Sequence, residues 1–154
     1  MKILIVYYSR SGVTEKVARK IQEKLNCDIC EITDNHKYKG AIGWLKGGYN
    51  VSLGRLSDIN PLSKNPKDYD LIIIGSPVWA SKIASPVSTF IYKYKNDLDN
   101  VAGFVTCKNG GDDKALKMMS DECGKILKAK MGLTTVAIEK ELDDEINKFV
   151  EKLN

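Results

Sequence analysis

Short apolar runs alternate with amphipathic stretches along the whole chain. The runs at residues 2–7, 71–74 and 101–106 are rich in aliphatic and aromatic residues and predict strands buried in a sheet. After the first run, apolar residues recur every third or fourth position opposite lysines and arginines, which predicts a helix over residues 14–25. The same reasoning predicts strands at 28–32 and 134–138, and helices at 86–94, 113–130 and 143–153. Residues 34–65 are rich in glycine and give only a loose pattern, with a short helix near 44–49.

This alternation of strands and helices predicts an α/β fold in which helices cover both faces of a parallel sheet. Right-handed crossovers leave few topologies, and a five-stranded parallel sheet suits the order 2-1-3-4-5. The 154 residues are expected to form a single domain spanning residues 1–154. In this topology a ligand binds at the carboxyl ends of the strands, beside the first and third. The loops that follow strands one, three and four are therefore expected to form one crevice.

The first of these loops, residues 9–14, has the chemistry of an anion site. It joins a buried strand to a helix, where unpaired backbone N–H groups meet the positive end of the helix dipole. Ser9, Ser11 and Thr14 add hydroxyl donors, and Gly12 allows the backbone to approach a ligand closely. The loop therefore predicts a phosphate-binding site.

The other two loops suit a flat ring. Trp79 follows a buried strand within a polar turn, where its indole either stacks on a ligand ring or packs against the edge of the sheet. In the third loop, Gly110 and Gly111 let backbone amides approach a planar ligand edge-on, with polar contacts from Lys108 and Asn109. The same Asn-Gly-Gly sequence is also typical of a simple turn before a helix. Together, the three loops describe a site for a phosphorylated flat heterocycle.

Composition and charge exclude several other classes of protein. Hydrophobic residues make up 43% and charged residues 29% of the chain, as in ordinary globular proteins. No apolar run is long enough to cross a membrane and the N-terminus lacks a signal-peptide layout, so a cytoplasmic protein without membrane contacts is expected. The net charge of +4 comes from lysines spread over helix faces, which argues against a nucleic-acid partner.

Reactive side chains are scarce, so no catalytic residue and no metal site is predicted. Cys27 and Cys30 have the spacing of a redox motif, but they follow a helix instead of preceding one, which favours structural thiols. His36 is the only histidine and is expected to lie away from the crevice. The first and third strands lack the acidic cluster of a phospho-receiver domain, and the first lacks the Gly-Lys-Ser/Thr of a P-loop.

Two motifs resemble those of the flavodoxin family. Residues 9–14 match its Ser/Thr-x-Ser/Thr-Gly-x-Thr phosphate loop, and residues 74–79, Ile-Gly-Ser-Pro-Val-Trp, are similar to the loop that flanks the flavin. Residues 40–59 also resemble a linker found in one subgroup of the family. The resemblance spans essentially the whole chain and implies a flavodoxin-like three-layer sandwich that binds FMN non-covalently.

The same resemblance assigns the contacts with FMN to the three loops. It places the phosphate on Ser9, Ser11, Gly12, Val13 and Thr14, with Arg10 nearby. It places the isoalloxazine ring beside Pro77, Val78 and Trp79, with a carbonyl between Val78 and Ala80 as the group that reorients toward the reduced ring. It places the pyrimidine edge beside Cys107, Lys108, Asn109, Gly110 and Gly111.

By this resemblance the protein is a carrier of electrons between redox proteins. The alternative is an FMN-dependent reductase or oxidase acting on a quinone, a porphyrinogen or another small molecule, with Trp44 and Tyr49 walling its pocket. Typical flavodoxins are acidic whereas this chain is basic, so redox partners with acidic docking faces and a monomer or weak dimer are expected. Lys82 and Lys108 near the ring predict a less negative potential for the second reduction step.

Overall fold

A computed structural model describes residues 1–34 and 57–154 of the chain. The strands in these residues are β1 (Ile3–Tyr7), β2 (Asp28–Glu31), β3 (Leu71–Trp79), β4 (Lys82–Ile83), β5 (Val101–Cys107) and β6 (Lys130–Thr134). In this part of the chain five parallel strands form the sheet, in the order β2-β1-β3-β5-β6, and β4 pairs antiparallel with the end of β3. The predicted fold class and the order 2-1-3-4-5 of the parallel strands are confirmed, with β4 as an addition.

Helices cover both faces of the sheet. Those in the described residues are α1 (Val13–Leu25), α2 (Ser85–Tyr94), α3 (Asp112–Cys123), α4 (Thr135–Lys140) and α5 (Leu142–Glu151), with single 3-10 turns at Pro66–Asp68 and Lys95–Asp97. One face of the sheet buries Phe90 of α2 and Met119 of α3, and the other buries Ile21 of α1 and Phe149 of α5. The predicted three-layer sandwich is confirmed. No helix of the described residues has both the length and the apolar character needed to cross a bilayer.

The centre of the sheet is apolar on both of its faces, as the sequence pattern predicts. Residues 71–74 of β3 are each at most 1% exposed. The next residue, Gly75, continues the strand and does not begin a loop, because the ring of Phe104 on β5 packs directly over it. A Cβ at Gly75 would overlap that ring. This close approach lets β3 run on to Trp79 and so delivers the indole to the carboxyl edge of the sheet.

Two predicted boundaries near the C-terminus are wrong. The helix predicted over 113–130 ends at Cys123, because Gly124 adopts a left-handed conformation with φ 64° and its N–H caps the helix. The strand predicted at 134–138 is instead β6, which ends at Thr134. The Thr134 side chain accepts a hydrogen bond from the N–H of Ala137 and thereby starts α4.

The chain enters its second described stretch at Ser57, which is fastened to α2 by buried hydrogen bonds. The Ser57 N–H donates to the Thr89 hydroxyl at 2.9 Å, and that hydroxyl donates back to the Ser57 carbonyl at 3.0 Å. Asp34 and Ile59 form an isolated antiparallel bridge, so the ends of the two described stretches lie side by side. The predicted helix near 44–49, most of the linker-like segment 40–59 and His36 lie outside the described residues.

Candidate functional site

The three loops predicted to share a crevice lie together at the carboxyl edge of the parallel strands. They enclose a cavity of about 300 Å³, within the range of small-molecule sites. The predicted residues that line it are Arg10, Ser11, Val13, Thr14, Pro77, Val78, Trp79, Cys107 and Lys108. The other predicted residues belong to the same loops but are not among those that line the cavity, namely Ser9, Gly12, Ala80, Asn109, Gly110 and Gly111.

The first loop, residues 9–14 and hereafter the phosphate loop, has an open helix N-terminus. The Ser9 hydroxyl accepts hydrogen bonds from the N–H groups of Gly12 at 3.1 Å and Glu15 at 3.2 Å, which fixes the turn from inside. Gly12 is the N-cap of α1 and has a positive φ of 91°, a conformation that glycine adopts readily. The N–H groups of Val13 and Thr14 have no acceptor in the described residues. These two amides are available to an anion, as the sequence predicts.

A buried hydrogen bond ties the phosphate loop to the floor of the crevice. The hydroxyls of Thr14 and Thr106 lie 2.8 Å apart, and both side chains are at most 5% exposed. Thr106 lies near the end of β5 and lines the cavity, although the sequence analysis did not identify it as a site residue. Its signal was available: it is the polar residue of an otherwise apolar strand, at the carboxyl edge where the ligand is expected.

Thr135 is the second lining residue that the sequence analysis missed. The misplaced boundary of the last strand hid it, because the prediction put it inside a strand at 134–138. In the structure Thr135 is the first residue of α4, directly after the carboxyl end of β6. Residues in that position face the ligand edge of a parallel sheet.

Trp79 lies in a β-hairpin formed by residues 78–83 and not in an irregular loop. Val78 pairs with Ile83 and Trp79 with Lys82, so Ala80 and Ser81 form a two-residue turn. Both turn residues have positive φ, 50° and 62°, as a type I′ turn requires, yet neither is glycine. The base of the hairpin is held by Ser76, whose buried hydroxyl accepts from the Ala84 N–H at 2.9 Å and donates to the Pro77 carbonyl at 2.8 Å.

The half-buried indole of Trp79 is in contact with residues next to and within the phosphate loop. The Tyr8 ring meets it edge-on, with centroids 5.7 Å apart and planes at 89°. The guanidinium carbon of Arg10 lies over the indole, 5.9 Å from the ring centroid. The Trp79 ring lines the cavity and also packs against the buried cluster that includes Ile83 and Ala84, so its position meets both of the alternatives that the sequence left open.

The third loop is closely packed between the other elements of the site. Gly110 and Gly111 have φ values of 122° and 86°, and Gly111 is the N-cap of α3. A Cβ at Gly111 would lie 3.1 Å from the Ser81 Cα and 2.9 Å from its hydroxyl, so the third loop touches the hairpin turn. On the other side, the Asp112 carboxylate packs over Gly132 of β6, where a Cβ would overlap it. Glycine at positions 111 and 132 is needed for close approach, beyond any general role in turns.

The electrostatic character of the cavity is positive. Two cations, Arg10 and Lys108, line it, and none of the described lining residues is a carboxylate or a histidine. The one thiol, Cys107, donates a weak hydrogen bond to the Leu133 carbonyl, with the sulfur 3.7 Å from the oxygen. Burial raises the pKa of the Cys107 thiol, so it is neutral at physiological pH. The site favours an anion and offers little acid–base chemistry.

The CxxC-spaced cysteines have the environment of structural thiols. Cys27 packs with the core on one side of the sheet and Cys30 with the core on the other, so the two side chains face away from each other. Burial is the main factor that raises the pKa of Cys27 to about 11. Neither property suits a redox-active dithiol.

A larger groove lies elsewhere and has different chemistry. It measures about 870 Å³ and runs between α3 and the start of β6. The described residues that line it include Lys117, Asp121 and Lys130 but no aromatic ring. Its size alone does not make it the ligand site, because its described lining offers no aromatic surface on which a flat ring stacks.

The family comparison agrees with this geometry. A sequence model of a family described as Flavodoxin matches residues 2–153. No curated protein is similar enough in sequence to count as a match.

Solved structures of flavoproteins have the same fold. A flavoprotein from Lactobacillus acidophilus NCFM in complex with FMN is 26% identical, with a TM-score of 0.75, and covers 90% of this chain and 97% of its own. Oxidised Flavodoxin 1 from Bacillus cereus is 16% identical with a TM-score of 0.58, covering 99% and 97%. A flavodoxin from the domain Archaea is 20% identical with a TM-score of 0.57, covering all of both chains. The last two likenesses concern the fold alone.

Proposed function

Because the chain belongs to the flavodoxin family, we propose that its crevice binds FMN non-covalently and that the protein carries electrons between redox proteins. The observation that carries this proposal is the juxtaposition of an open helix N-terminus and an indole across one crevice. The first suits a phosphate and the second suits a flat ring. The similar flavoprotein from Lactobacillus acidophilus was solved in complex with FMN.

The residues present fit each part of FMN. The free amides of Val13 and Thr14 and the hydroxyl of Ser11 would hold the phosphate. Trp79 would stack on the isoalloxazine ring, with Pro77 and Val78 beside it. When bound, FMN supplies the redox chemistry, and the protein sets its orientation, its surroundings and its access to partners.

The scarcity of acid–base groups favours a carrier over an enzyme. The described residues that line the cavity include no carboxylate and no histidine, and burial raises the pKa of the Cys107 thiol, which keeps it neutral. A reductase or oxidase that protonates a bound substrate commonly has a positioned acid or base for that step. A carrier has no such requirement, because it hands over electrons alone.

The charge around the crevice indicates what kind of partner docks there. Arg10 and Lys108 line the cavity, and none of its described lining residues carries a negative charge. A redox partner with an acidic face would be steered toward this side of the molecule, at a rate that falls as salt is added. We propose such a protein as the electron donor or acceptor.

Reconstitution with FMN tests the proposed cofactor and role. Purified apo-protein is titrated with FMN and with riboflavin, and the loaded protein is then reduced stepwise while its visible spectrum is recorded. The proposal predicts uptake of FMN, two resolved one-electron steps and slow direct reaction with a nicotinamide or a quinol. Rapid turnover with either small molecule would favour the reductase or oxidase, and failure to take up FMN would overturn both roles.

A further inference from the structure

The position of Arg10 does not match a role at the phosphate alone. Its backbone belongs to the phosphate loop, but its guanidinium lies against the hairpin, 5.9 Å from the centroid of the Trp79 ring. In the described part of the chain no carboxylate pairs with Arg10 to draw it elsewhere. The side chain therefore reaches from the phosphate loop to the Trp79 indole.

The chemistry of the guanidinium suits this contact. It is planar and weakly hydrated, so it stacks on an aromatic face while keeping its charge, whereas a lysine ammonium is compact and strongly hydrated. Tyr8 meets the same indole edge-on from the strand that leads into the phosphate loop. Tyr8 and Arg10, from one side of the crevice, thus both contact the Trp79 indole on the other side.

The hairpin is short and its turn is strained. Its β4 strand has two residues, and its turn places Ala80 and Ser81 at positive φ, a conformation that is unfavourable for non-glycine residues. A strained two-residue turn holds an indole at its end only loosely unless neighbours restrict the ring. Arg10 supplies one such restriction from outside the hairpin.

We propose that Arg10 is a positioning residue for the flavin ring: it holds Trp79 in the orientation in which the indole stacks on a flat heterocycle. The inference rests on the proposed flavin site and deepens it. It assigns to a phosphate-loop residue a share in binding the ring, independent of any contact with the phosphate.

Riboflavin separates the two roles because it has the ring of FMN and no phosphate. Riboflavin and FMN are each titrated into apo-protein, and binding is followed by the quenching of flavin fluorescence. The proteins compared are the unchanged chain, the single variants Arg10→Gln, Arg10→Lys and Trp79→Leu, and the double variant that combines Arg10→Gln with Trp79→Leu. We expect Arg10→Gln to weaken riboflavin binding roughly two- to fivefold, the size of an exposed cation–π contact. Arg10→Lys should lose nearly as much riboflavin affinity but retain more of the FMN affinity. With Leu at position 79, Arg10→Gln should leave riboflavin binding unchanged.

A second readout needs no flavin. The chain has two tryptophans, so Trp44→Phe leaves Trp79 as the only indole. In that background Arg10→Gln should shift the emission of Trp79 and make it more accessible to acrylamide, with an unchanged far-UV circular dichroism spectrum. Binding of FMN by the Trp44→Phe protein is the control for this background.

Each outcome decides the matter. If Arg10→Gln weakens FMN binding only, and the emission of Trp79 does not move, Arg10 serves the phosphate alone and the inference is wrong. The inference is also wrong if Arg10→Gln weakens riboflavin binding equally in the unchanged protein and in the Trp79→Leu variant. If the unchanged protein binds neither flavin, the proposed function fails, while the emission of Trp79 still tests the contact itself.

Discussion

The phosphate loop and the hairpin of residues 78–83 face each other across the crevice and differ in how they hold their backbone. In the phosphate loop the positive φ falls on Gly12, and the Ser9 hydroxyl accepts from the N–H of Gly12 and from the N–H of Glu15 in the first turn of α1. In the hairpin the positive φ values fall on Ala80 and Ser81, and the turn is pressed against Gly111 of the third loop. The turn of the phosphate loop is fixed by residues within six positions of each other, whereas the turn of the hairpin packs against a loop that lies distant in the chain. The proposed phosphate anchor is therefore shaped locally in sequence, while the proposed ring contact is built from several loops.

Reversing the charge preference of the phosphate loop should give the largest effect. Ser11→Asp would place a carboxylate beside the phosphate, and two like charges at about 4 Å repel by about 4 kcal/mol at an effective dielectric of 20. We expect FMN affinity to fall by about 1,000-fold, with riboflavin affinity unchanged. Ser11→Asn, which adds similar bulk without charge, is the matched control. Equal losses for FMN and riboflavin would show that the phosphate does not occupy this loop.

Changing the contact between the hairpin and the third loop tests whether the hairpin depends on its neighbours. Gly111→Ala adds a Cβ at a φ of 86° and within 3.1 Å of the Ser81 backbone, so we expect a loss of about 2–3 kcal/mol in the free energy of unfolding, measured with urea. Ser81→Gly removes the crowding side chain. In the Gly111→Ala background, Ser81→Gly should raise the free energy of unfolding by about 1 kcal/mol more than it does in the unchanged protein. Strict additivity would mean that the two loops do not support each other.

A pair of substitutions with opposite expected signs addresses the backbone directly. Gly12→Ala should destabilise the protein by about 1 kcal/mol, because φ is positive there while the space around the new Cβ is open. Ala80→Gly should stabilise it by about 0.5 kcal/mol, because the relief of strain exceeds the added flexibility of the unfolded chain. Gly124→Ala is the control for Gly12, since it has the same open surroundings and lies at the far end of α3. Thermal unfolding of the apo-proteins measures all three, and a destabilised Ala80→Gly variant would contradict the account of the hairpin.

A similarly small effect is expected from the charge at the ring. Lys108→Glu should make the potential of the second reduction step more negative by roughly 30–60 mV. Reversing a charge near an exposed ring changes its interaction by about 1 kcal/mol, and about 1.4 kcal/mol corresponds to about 59 mV for one electron. Lys125→Glu, beyond the opposite end of the 12-residue helix α3, should shift the potential far less at 0.15 M salt. Redox titration measures both, and an unchanged or higher potential for Lys108→Glu would refute the expectation.

Local chemistry made the sheet and the phosphate loop predictable. Residues 71–74 are buried on both faces, so they are apolar throughout and could be identified without knowledge of their neighbours. The phosphate loop is likewise contained in six consecutive residues, whose Ser9 and Gly12 shape the turn that joins β1 to α1.

The predictions fail for different physical reasons. Val136 and Ile138 suggest a strand, but Val136 is 57% exposed and the Thr134 side chain starts a helix there. The sequence predicts that the third strand ends at residue 74, because nothing nearby in the chain reveals the ring of Phe104, which requires a glycine within the strand. The hairpin is not predicted because Ala80-Ser81 is not a typical type I′ turn sequence, whereas Thr106 could have been identified from its position at the carboxyl edge of β5.

The hydrogen bond between Thr14 and Thr106 has a further consequence, for the direction in which protons point. The two hydroxyls have two protons and share one bond, and either can be the donor. A phosphate oxygen only accepts hydrogen bonds, so an entering phosphate favours the arrangement in which Thr106 donates to Thr14 and the Thr14 proton points outward. Chained donors of this kind polarise one another, which strengthens the outer bond. A ligand that donates a hydrogen bond would favour the opposite arrangement, in which Thr14 donates to Thr106. The charge of the ligand therefore sets the direction of this hydrogen bond, because the two hydroxyls can rotate.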